Sequence, residues 1–330
     1  MSAKQAAVEL RGVTKTFGAT TAVANLDLTV PRGALYGFIG PNGAGKTTSI
    51  RMIMSILFPD SGELEVLGRA SALDAKDKIG YLPEERGVYR KMRVAAYLTY
   101  IARLKGVPEQ GLAARVSAYV ARVGLAGVEG KRCEELSKGM LQKIQFVAAI
   151  VHEPDLLILD EPFSGLDPVS MRQLRELIVA EHARGATILF STHVMQQAEE
   201  ICDHVVMIHR GKKVLDDPVS SIRSRYDTRA LVLEPLDARA GVAGIVRTVA
   251  DVASCERREG GAYDVELRAG VDVAGAISRI AAVLPLARIE VKRPRLEDVF
   301  VQIVADGADS ADAARVLRAE LAGPSARAAT

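Results

Sequence analysis

The segment at residues 40–48 constrains the fold of this chain more than any other part of the sequence. It reads Gly-Pro-Asn-Gly-Ala-Gly-Lys-Thr-Thr and lies between an apolar run at 35–39 and a helical pattern at 47–54. Glycines at this spacing let backbone N–H groups converge on phosphate oxygens, and the start of the following helix adds its dipole. The segment therefore predicts a phosphate-binding loop between a strand and a helix.

Each residue of this loop is a candidate contact to the phosphates of a nucleotide. The lysine reaches the β and γ phosphates, and the hydroxyl of the first threonine ligates Mg²⁺. The candidate nucleotide-binding residues are Gly40, Pro41, Asn42, Gly43, Ala44, Gly45, Lys46, Thr47 and Thr48. A chance match to the pattern is the alternative, and the strand-to-helix context argues against it.

Short β-rich runs alternate with helical patterns over the first 220 residues, which is typical of an α/β domain with a largely parallel sheet. Strands are expected at 7–13, 26–30, 35–39, 63–67, 78–82, 155–159, 186–191 and 204–208. The runs at 156–159 and 187–190 are apolar at consecutive positions, as in central strands that are buried on both faces. They predict the middle of the sheet.

At roughly 150 residues per domain, a chain of 330 residues is expected to contain about two domains. A helical subdomain is expected at about 92–150, with helices at 94–105 and 112–123, inside a nucleotide-binding domain at 5–226. Residues 228–304 are predicted to form a small α+β accessory domain in the order βαββαβ, which resembles a ferredoxin-like module. Residues 305–330 contain few large apolar groups and are expected to be a flexible tail.

Two carboxylates, Asp160 and Glu161, follow directly on the apolar run at 156–159. Ligands bind at the carboxyl ends of strands in open α/β sheets, so acids at this point suggest a cation site. Asp160 is predicted to hold Mg²⁺ through water, and Glu161 to orient or deprotonate an attacking water. A solvated strand end is the alternative, and the neighbouring phosphate-binding loop makes it the weaker one.

Composition excludes several classes of protein. The formal net charge of +2 gives no global field that would favour nucleic acid as the main partner. The three cysteines are far apart and have no C-x-x-C spacing, so neither a disulfide framework nor a zinc site is expected. No apolar run approaches the length of a membrane span, and the first residues lack the apolar region of a signal peptide.

Three further segments complete a pattern that resembles the ATP-binding subunits of ABC transporters over about residues 5–220. They are Glu-Leu-Ser-Lys-Gly-Met at 135–140, Ser-Gly-Leu-Asp-Pro at 164–168 and Ser-Thr-His at 191–193. The resemblance implies a P-loop ABC-type ATPase that binds ATP and Mg²⁺ in a head-to-tail dimer, with itself or with a paralogous subunit. Ser137 and Gly139 would then meet the γ-phosphate across the dimer. His193 would contact that phosphate, with Asp167 at the interface and Phe17 on the adenine.

The sequence departs from the family pattern at two places. Lys138 and Met140 replace a glycine and a glutamine of the usual Leu-Ser-Gly-Gly-Gln, and Glu84 stands where the family normally has glutamine. A carboxylate can ligate Mg²⁺ as an amide does, so Glu84 is a third candidate metal ligand beside Thr47 and Asp160. The segments at 82–87 and 296–300 resemble a bacterial subset of sodium-extrusion and drug-exporter ATPases with an appended C-terminal domain.

The resemblance implies an ATP-hydrolysing subunit of a membrane exporter, peripheral on the cytoplasmic face of a bacterial membrane. A separate transmembrane permease would contact the region of Arg86, Tyr89, Arg90 and Met92. A non-transport role on ribosomes or DNA is an alternative, although one nucleotide domain and the short interval from Lys46 to Ser137 argue against it. Binding of ATP as a switch without useful hydrolysis is a third reading, which the presence of Glu161 and His193 disfavours.

Overall fold

A computed structural model describes residues 5–85, 87–225, 230–237, 241–258, 260–292 and 295–306. The strands are β1 (Ala6–Phe17), β2 (Thr20–Pro31), β3 (Leu35–Ile39), β4 (Ser61–Val66), β5 (Ile79–Leu82), β6 (Leu156–Asp160), β7 (Thr187–Thr192), β8 (His204–His209), β9 (Lys212–Pro218), β10 (Ala230–Pro235), β11 (Val252–Arg257), β12 (Tyr263–Leu267) and β13 (Leu286–Lys292). The helices are α1 (Lys46–Ile53), α2 (Val94–Leu104), α3 (Leu112–Arg122), α4 (Lys138–Ile150), α5 (Pro168–Ala183), α6 (Met195–Ile201), α7 (Val219–Arg225), α8 (Val242–Arg247), α9 (Val273–Val283) and α10 (Leu296–Asp306).

A six-stranded sheet in the order β5-β6-β7-β3-β8-β9 forms the centre of the first compact unit. The first five strands of this order are parallel, and β9 is antiparallel to β8. Every residue of β3, β6 and β7 is buried, as their uninterrupted apolar sequences predict. The carboxyl ends of these three neighbouring strands therefore meet at one edge of the sheet. The α/β fold class is confirmed.

A second, antiparallel sheet in the order β2-β1-β4 belongs to the same unit. Strand β1 continues past Val13 and strand β2 begins before Leu26, the limits that the sequence predicts, because their pairing is interrupted only by register shifts, one of which lies between Leu10 and Val13. Gly12 lies within that shift at a φ of 60°, a conformation that glycine adopts readily. Side chains such as Leu10, Ile50 and Val206 join this sheet to α1 and the central sheet in one apolar core.

Helices α2 and α3 match the two helices expected between residues 94 and 123. The buried face of α2 consists of Val94, Tyr97, Leu98 and Ala102, at the three- and four-residue spacing of an amphipathic helix. Gly106 follows α2 at a φ of 78°, which allows the chain to leave the helix. No helix within the described residues is long and apolar enough to span a membrane.

The second compact unit, Ser220–Val299, contains an antiparallel sheet in the order β11-β12-β10-β13. This order and these directions are those of a βαββαβ ferredoxin-like module. Gly260 and Gly261, both near a φ of 90°, turn the hairpin between β11 and β12. The contacts divide the chain after Val219 and return it to the first unit at Phe300, whereas the sequence suggests boundaries at 226 and 304. Most of the expected tail lies outside the described residues.

Candidate functional site

The loop at residues 40–45 connects β3 to α1 and requires glycine at two of its positions. Gly40 has a φ of 156°, and a Cβ atom there would lie 2.2 Å from the carbonyl oxygen of Ile208. Gly45 has a φ of 108°, and its Cβ atom would lie 2.4 Å from the carbonyl oxygen of Ala22. No side chain caps the N-terminus of α1. The first N–H groups of α1 are therefore available to an anion.

A cavity of about 350 Å³ opens in front of this loop. Its lining consists of Ala22, Asn42, Gly43, Gly45, Lys46, Thr47, Thr48, Glu84 and Glu161. Six of the nine predicted loop residues thus face the cavity. Gly40, Pro41 and Ala44 do not line it, and the carbonyl oxygens of Gly40 and Pro41 accept hydrogen bonds from Lys46.

The ammonium group of Lys46 is buried at the base of the cavity with a relative exposure of 6%. Its Nζ donates to Gly40 O at 2.7 Å and to Pro41 O at 3.2 Å, and it lies 3.7 Å from Glu161 Oε1. Burial lowers the pKa of Lys46, although the negative charges of Glu161, Asp160 and Glu84 act in the opposite direction. The effect of burial on this ammonium group is thus larger than the opposing effect of its acidic neighbours. Such an under-compensated cation suits a site that binds a polyanion.

Asp160 ends β6 beside Thr47 and is also buried. Its Oδ1 accepts hydrogen bonds from Ser191 Oγ at 2.5 Å and from Thr47 Oγ1 at 3.4 Å. Its Oδ2 is buried without a hydrogen-bond partner, and burial raises the pKa of this carboxyl. An orphaned carboxylate oxygen next to a hydroxyl is the donor chemistry that Mg²⁺ prefers.

Glu161 follows Asp160 with a φ of 49°, in the left-handed region that non-glycine residues seldom occupy. Its backbone N–H donates to Ser191 O at 3.1 Å, and its Oε1 lies 2.9 Å from His193 Nδ1. The hydrogen bond with Glu161 raises the pKa of His193. The structure therefore brings together the three candidate catalytic residues Glu161, His193 and Lys46.

Glu84 lines the same cavity from the segment after β5. Partial burial, together with the negative charges of Asp160 and Glu161, raises the pKa of Glu84. Within the described part of the chain, no three His, Cys, Asp or Glu side chains are close enough together to hold a metal ion. Glu84, Asp160 and Glu161 thus interact electrostatically without forming a ready-made carboxylate cluster.

The four predicted nucleotide contacts that do not belong to the phosphate-binding loop lie outside the cavity lining. Ser137 is exposed and caps α4 by accepting a hydrogen bond from Met140 N at 3.3 Å, and Asp167 caps α5 by accepting from Val169 N and Ser170 N. Gly139 lies against Ser170, and Phe17 is 49% exposed with Lys15 over its ring. Within one chain, Ser137 and Asp167 therefore act as helix caps, and Phe17 is an aromatic side chain at the surface.

Ser191 was not predicted to have a role of its own, although its hydroxyl holds Asp160. The sequence signals for it are its position at the end of an apolar strand and its place in the Ser-Thr-His segment at 191–193. Ala22 lines the cavity from β2 with no local signal, because only the packing of β2 near the loop brings it there.

Comparison with known proteins agrees with this geometry. Residues 23–164 match the family model described as "ABC transporter". The uncharacterized ABC transporter ATP-binding protein YhaQ of Bacillus subtilis is 38% identical over 300 residues, which cover 88% of this chain and 96% of YhaQ. The bacitracin transport ATP-binding protein BcrA of Bacillus licheniformis is 30% identical, with 91% and 98% covered. A solved structure entitled "Structure of ATP binding subunit of ABC transporter" superposes with a TM-score of 0.61 at 30% identity, covering 66% of this chain and 92% of that one.

Proposed function

This chain belongs to the family of ABC transporter ATP-binding proteins and is an ATPase, and on that premise we propose that it drives a separate membrane permease that exports a solute. The observation that carries the proposal is the meeting of Lys46 and Glu161 in one cavity at the phosphate-binding loop, where Thr47 is hydrogen-bonded to Asp160. The name of the bacitracin relative supports a role in transport. The resemblance of residues 82–87 and 296–300 to sodium-extrusion and drug-exporter ATPases supports export as its direction.

Hydrolysis is proposed to depend on three side chains. Lys46 offsets the negative charge of the β and γ phosphates. Its contacts with these phosphates replace its present hydrogen bonds to backbone carbonyl oxygens. Glu161 accepts the proton of the attacking water, and the contact with His193 holds its carboxylate in place. The buried environment strengthens these interactions because little water competes for them.

We propose that Thr47, Asp160 and Glu84 would hold Mg²⁺ together with the phosphates of ATP. Thr47 and Glu84 line the cavity from two segments, and the unpartnered Oδ2 of Asp160 belongs to the carboxylate that accepts the hydrogen bond of Thr47. All three side chains offer hard oxygen ligands. When bound, the ion would neutralise charge on the phosphates. Because a metal at this place needs ligands from ATP as well, it is proposed to arrive with the nucleotide.

A head-to-tail dimer is proposed as the active form, between two copies of the chain or with a paralogous subunit. Ser137 is exposed at the N-terminus of α4, Gly139 and Asp167 lie beside it, and none of the three contacts the cavity of its own chain. A helix N-terminus with an exposed serine can accept an anion from another subunit. Phe17 is exposed and is proposed to stack on an adenine ring.

The permease is proposed to bind near Tyr89, which is 54% exposed and makes edge-on ring contacts with Tyr97 and Tyr100. Arg90 is also exposed and Met92 is half-buried, whereas Arg86 lies outside the described residues. In this arrangement the protein works at the cytoplasmic face of a bacterial membrane and needs no nucleic acid. Residues 228–304 are proposed as an accessory domain without ATP chemistry.

Reconstitution tests the proposal. The full chain is co-expressed with any multi-span membrane protein whose gene lies beside its own. A complex that forms is purified in detergent and placed in lipid vesicles. We expect the complex to form and its ATPase rate to respond to transported solutes, and a Tyr89→Ser variant to bind the membrane protein less well with unchanged basal ATPase activity. Failure of any such membrane protein to bind or stimulate the chain would contradict a role in transport.

A further inference from the structure

Gln142 is a buried polar side chain of α4 that reaches the turn containing Glu161. It is 3% exposed, and its Nε2 donates a hydrogen bond to the carbonyl oxygen of Pro162 at 2.9 Å. Pro162 is buried and directly follows Glu161. We propose that Gln142 is a positioning residue for Glu161, an inference that rests on the proposed role of Glu161 in accepting a proton from water.

The turn at Glu161 needs external support because its backbone is strained. A glutamate at a φ of 49° is held there only where surrounding contacts over-determine it. Two of these contacts are backbone hydrogen bonds, from Glu161 N to Ser191 O at 3.1 Å and from Ser164 N to Glu161 O at 3.0 Å. The first holds the turn against β7, and the second closes the turn between Glu161 and Ser164.

Pro162 leaves one gap in this support. Proline has no N–H group, so its carbonyl oxygen is its only means of forming a backbone hydrogen bond. The structure satisfies that oxygen with the side-chain amide of Gln142. Gln142 thus fixes the middle of the turn, on the residue bonded to Glu161.

Helix α4 can act as a rigid support because it is itself tied to α5. Lys143 Nζ donates to Gln173 Oε1 at 2.5 Å. Gly139 packs so closely that a Cβ atom there would lie 2.8 Å from Ser170 Oγ. These two contacts flank Gln142 along the helix, so its amide is presented from a fixed position.

Loss of this hydrogen bond would let the turn relax and move the Glu161 carboxylate away from Lys46 and His193. Reactions in enzyme sites are sensitive to such shifts, since a misplacement of about 1 Å can reduce the rate about 100-fold. Gln142 does not line the cavity, and the contacts of Lys46 do not involve it. The change should therefore appear in kcat and leave the affinity for ATP nearly intact.

Gln142→Met in the full chain tests the inference because methionine has a similar volume and no N–H donor. The matched control is Gln145→Met, three residues along the same helix. Gln145 is 5% exposed, and its Oε1 has no hydrogen-bond partner. In steady-state ATPase assays we expect Gln142→Met to lower kcat by about 10- to 100-fold with KM within about threefold. Gln145→Met should stay within about twofold of the unsubstituted protein. Should Gln142→Met fail to fold, Gln142→Leu, which also lacks a hydrogen-bond donor, is measured in its place.

A double variant separates positioning from a general structural effect. If Gln142 acts through Glu161, adding Gln142→Met to Glu161→Gln should change the residual rate by less than about threefold. An equal loss in both backgrounds, an unchanged kcat in Gln142→Met, or a KM that rises as kcat falls would overturn the inference. Normal turnover in Glu161→Gln would instead refute the proposed role of Glu161, so the two failures can be told apart.

Discussion

Replacing Lys46 by methionine should separate the stability of this protein from its affinity for ATP. The lowered pKa of Lys46 means that the folded protein holds the ammonium proton less tightly than the unfolded chain does. The charge of Lys46 therefore does not stabilise the fold in the absence of ligand. Methionine fills a similar volume, so we expect the unfolding midpoint of ligand-free Lys46→Met to lie within roughly 3 °C of the unsubstituted protein.

The effect on ATP binding should be much larger. Contacts of a lysine with phosphate oxygens are charge-assisted hydrogen bonds, worth about 1.5–3 kcal/mol each, so loss of one or two weakens binding about 100-fold. With ATP at 100 times the original Kd, the unsubstituted protein gains about 2.7 kcal/mol of stability, or about 5–10 °C in midpoint. At the same concentration the variant is near its own Kd, and it gains about 0.4 kcal/mol, or about 1 °C.

Thermal unfolding with a hydrophobic dye, with and without ATP and Mg²⁺, measures both quantities. Lys105→Met is the matched control because Lys105 Nζ also donates to two backbone carbonyls, Lys76 O at 2.7 Å and Ile79 O at 2.8 Å. Burial lowers the pKa of Lys105 as well, and Lys105 does not line the cavity. We expect Lys105→Met to keep the full shift with ATP. An equal shift in Lys46→Met, or a collapse of its ligand-free midpoint, would refute the reasoning.

Four further predictions concern the site and the division of the chain. Glu161→Gln should lower kcat by about 10²- to 10⁴-fold, keep the thermal shift with ATP and show an ATP-stabilised dimer by light scattering, whereas normal turnover would exclude Glu161 as the base. Glu84→Gln should make hydrolysis depend less steeply on Mg²⁺, because burial and the repulsion by Asp160 and Glu161 raise the pKa of Glu84 and the metal relieves that repulsion. Superimposable titrations would leave Glu84 a role in coupling only. Because the pKa of His193 is raised, its contact with Glu161 contributes its full stabilisation below roughly pH 6.5, and this stabilisation is lost as the pH rises through the raised pKa. His193→Gln should therefore flatten that part of the curve of stability against pH, and an unaltered curve would contradict the contact. Truncation after Arg225 should leave an ATP-binding domain with a lower midpoint, since the edge-on contact of Phe300 with His209 is lost, while loss of soluble protein would indicate one shared folding unit.

Local sequence was enough to predict the elements whose pattern does not depend on distant residues. The apolar runs of β3, β6 and β7 are unambiguous because both faces of these strands are buried. The glycines of the phosphate-binding loop identify a strand-to-helix turn because other residues would clash with the backbone at two positions. Strand β9 was missed, since only Leu215 is buried in it and an edge strand with mixed polar residues has no clear period.

The order of the motifs along the chain also predicted which side chains share one edge of the sheet. Asp160 ends β6, Glu161 and His193 directly follow β6 and β7, and Lys46 lies after the loop that follows β3. Parallel neighbouring strands end at the same edge of the sheet. Sequence could not predict that Asp160 keeps one oxygen unpaired or that burial lowers the pKa of Lys46. The missing partner of Asp160 and the lowered pKa of Lys46 both depend on the solvent exposure and the neighbouring groups of these atoms in the folded protein.

The amino-acid sequence alone thus determined the parallel sheet, its phosphate-binding loop and the acids at its edge. These features follow from the pattern of apolar residues and from the steric limits of the backbone. Only the tertiary structure decided how Glu161 is held. Ser191 and Gln142 reach this turn from a neighbouring strand and from α4, across intervals of sequence with no regular spacing. Hydrogen bonds between side chains and distant backbone atoms leave no pattern in the sequence, since they require only that packing bring one donor within 3 Å or so of one acceptor.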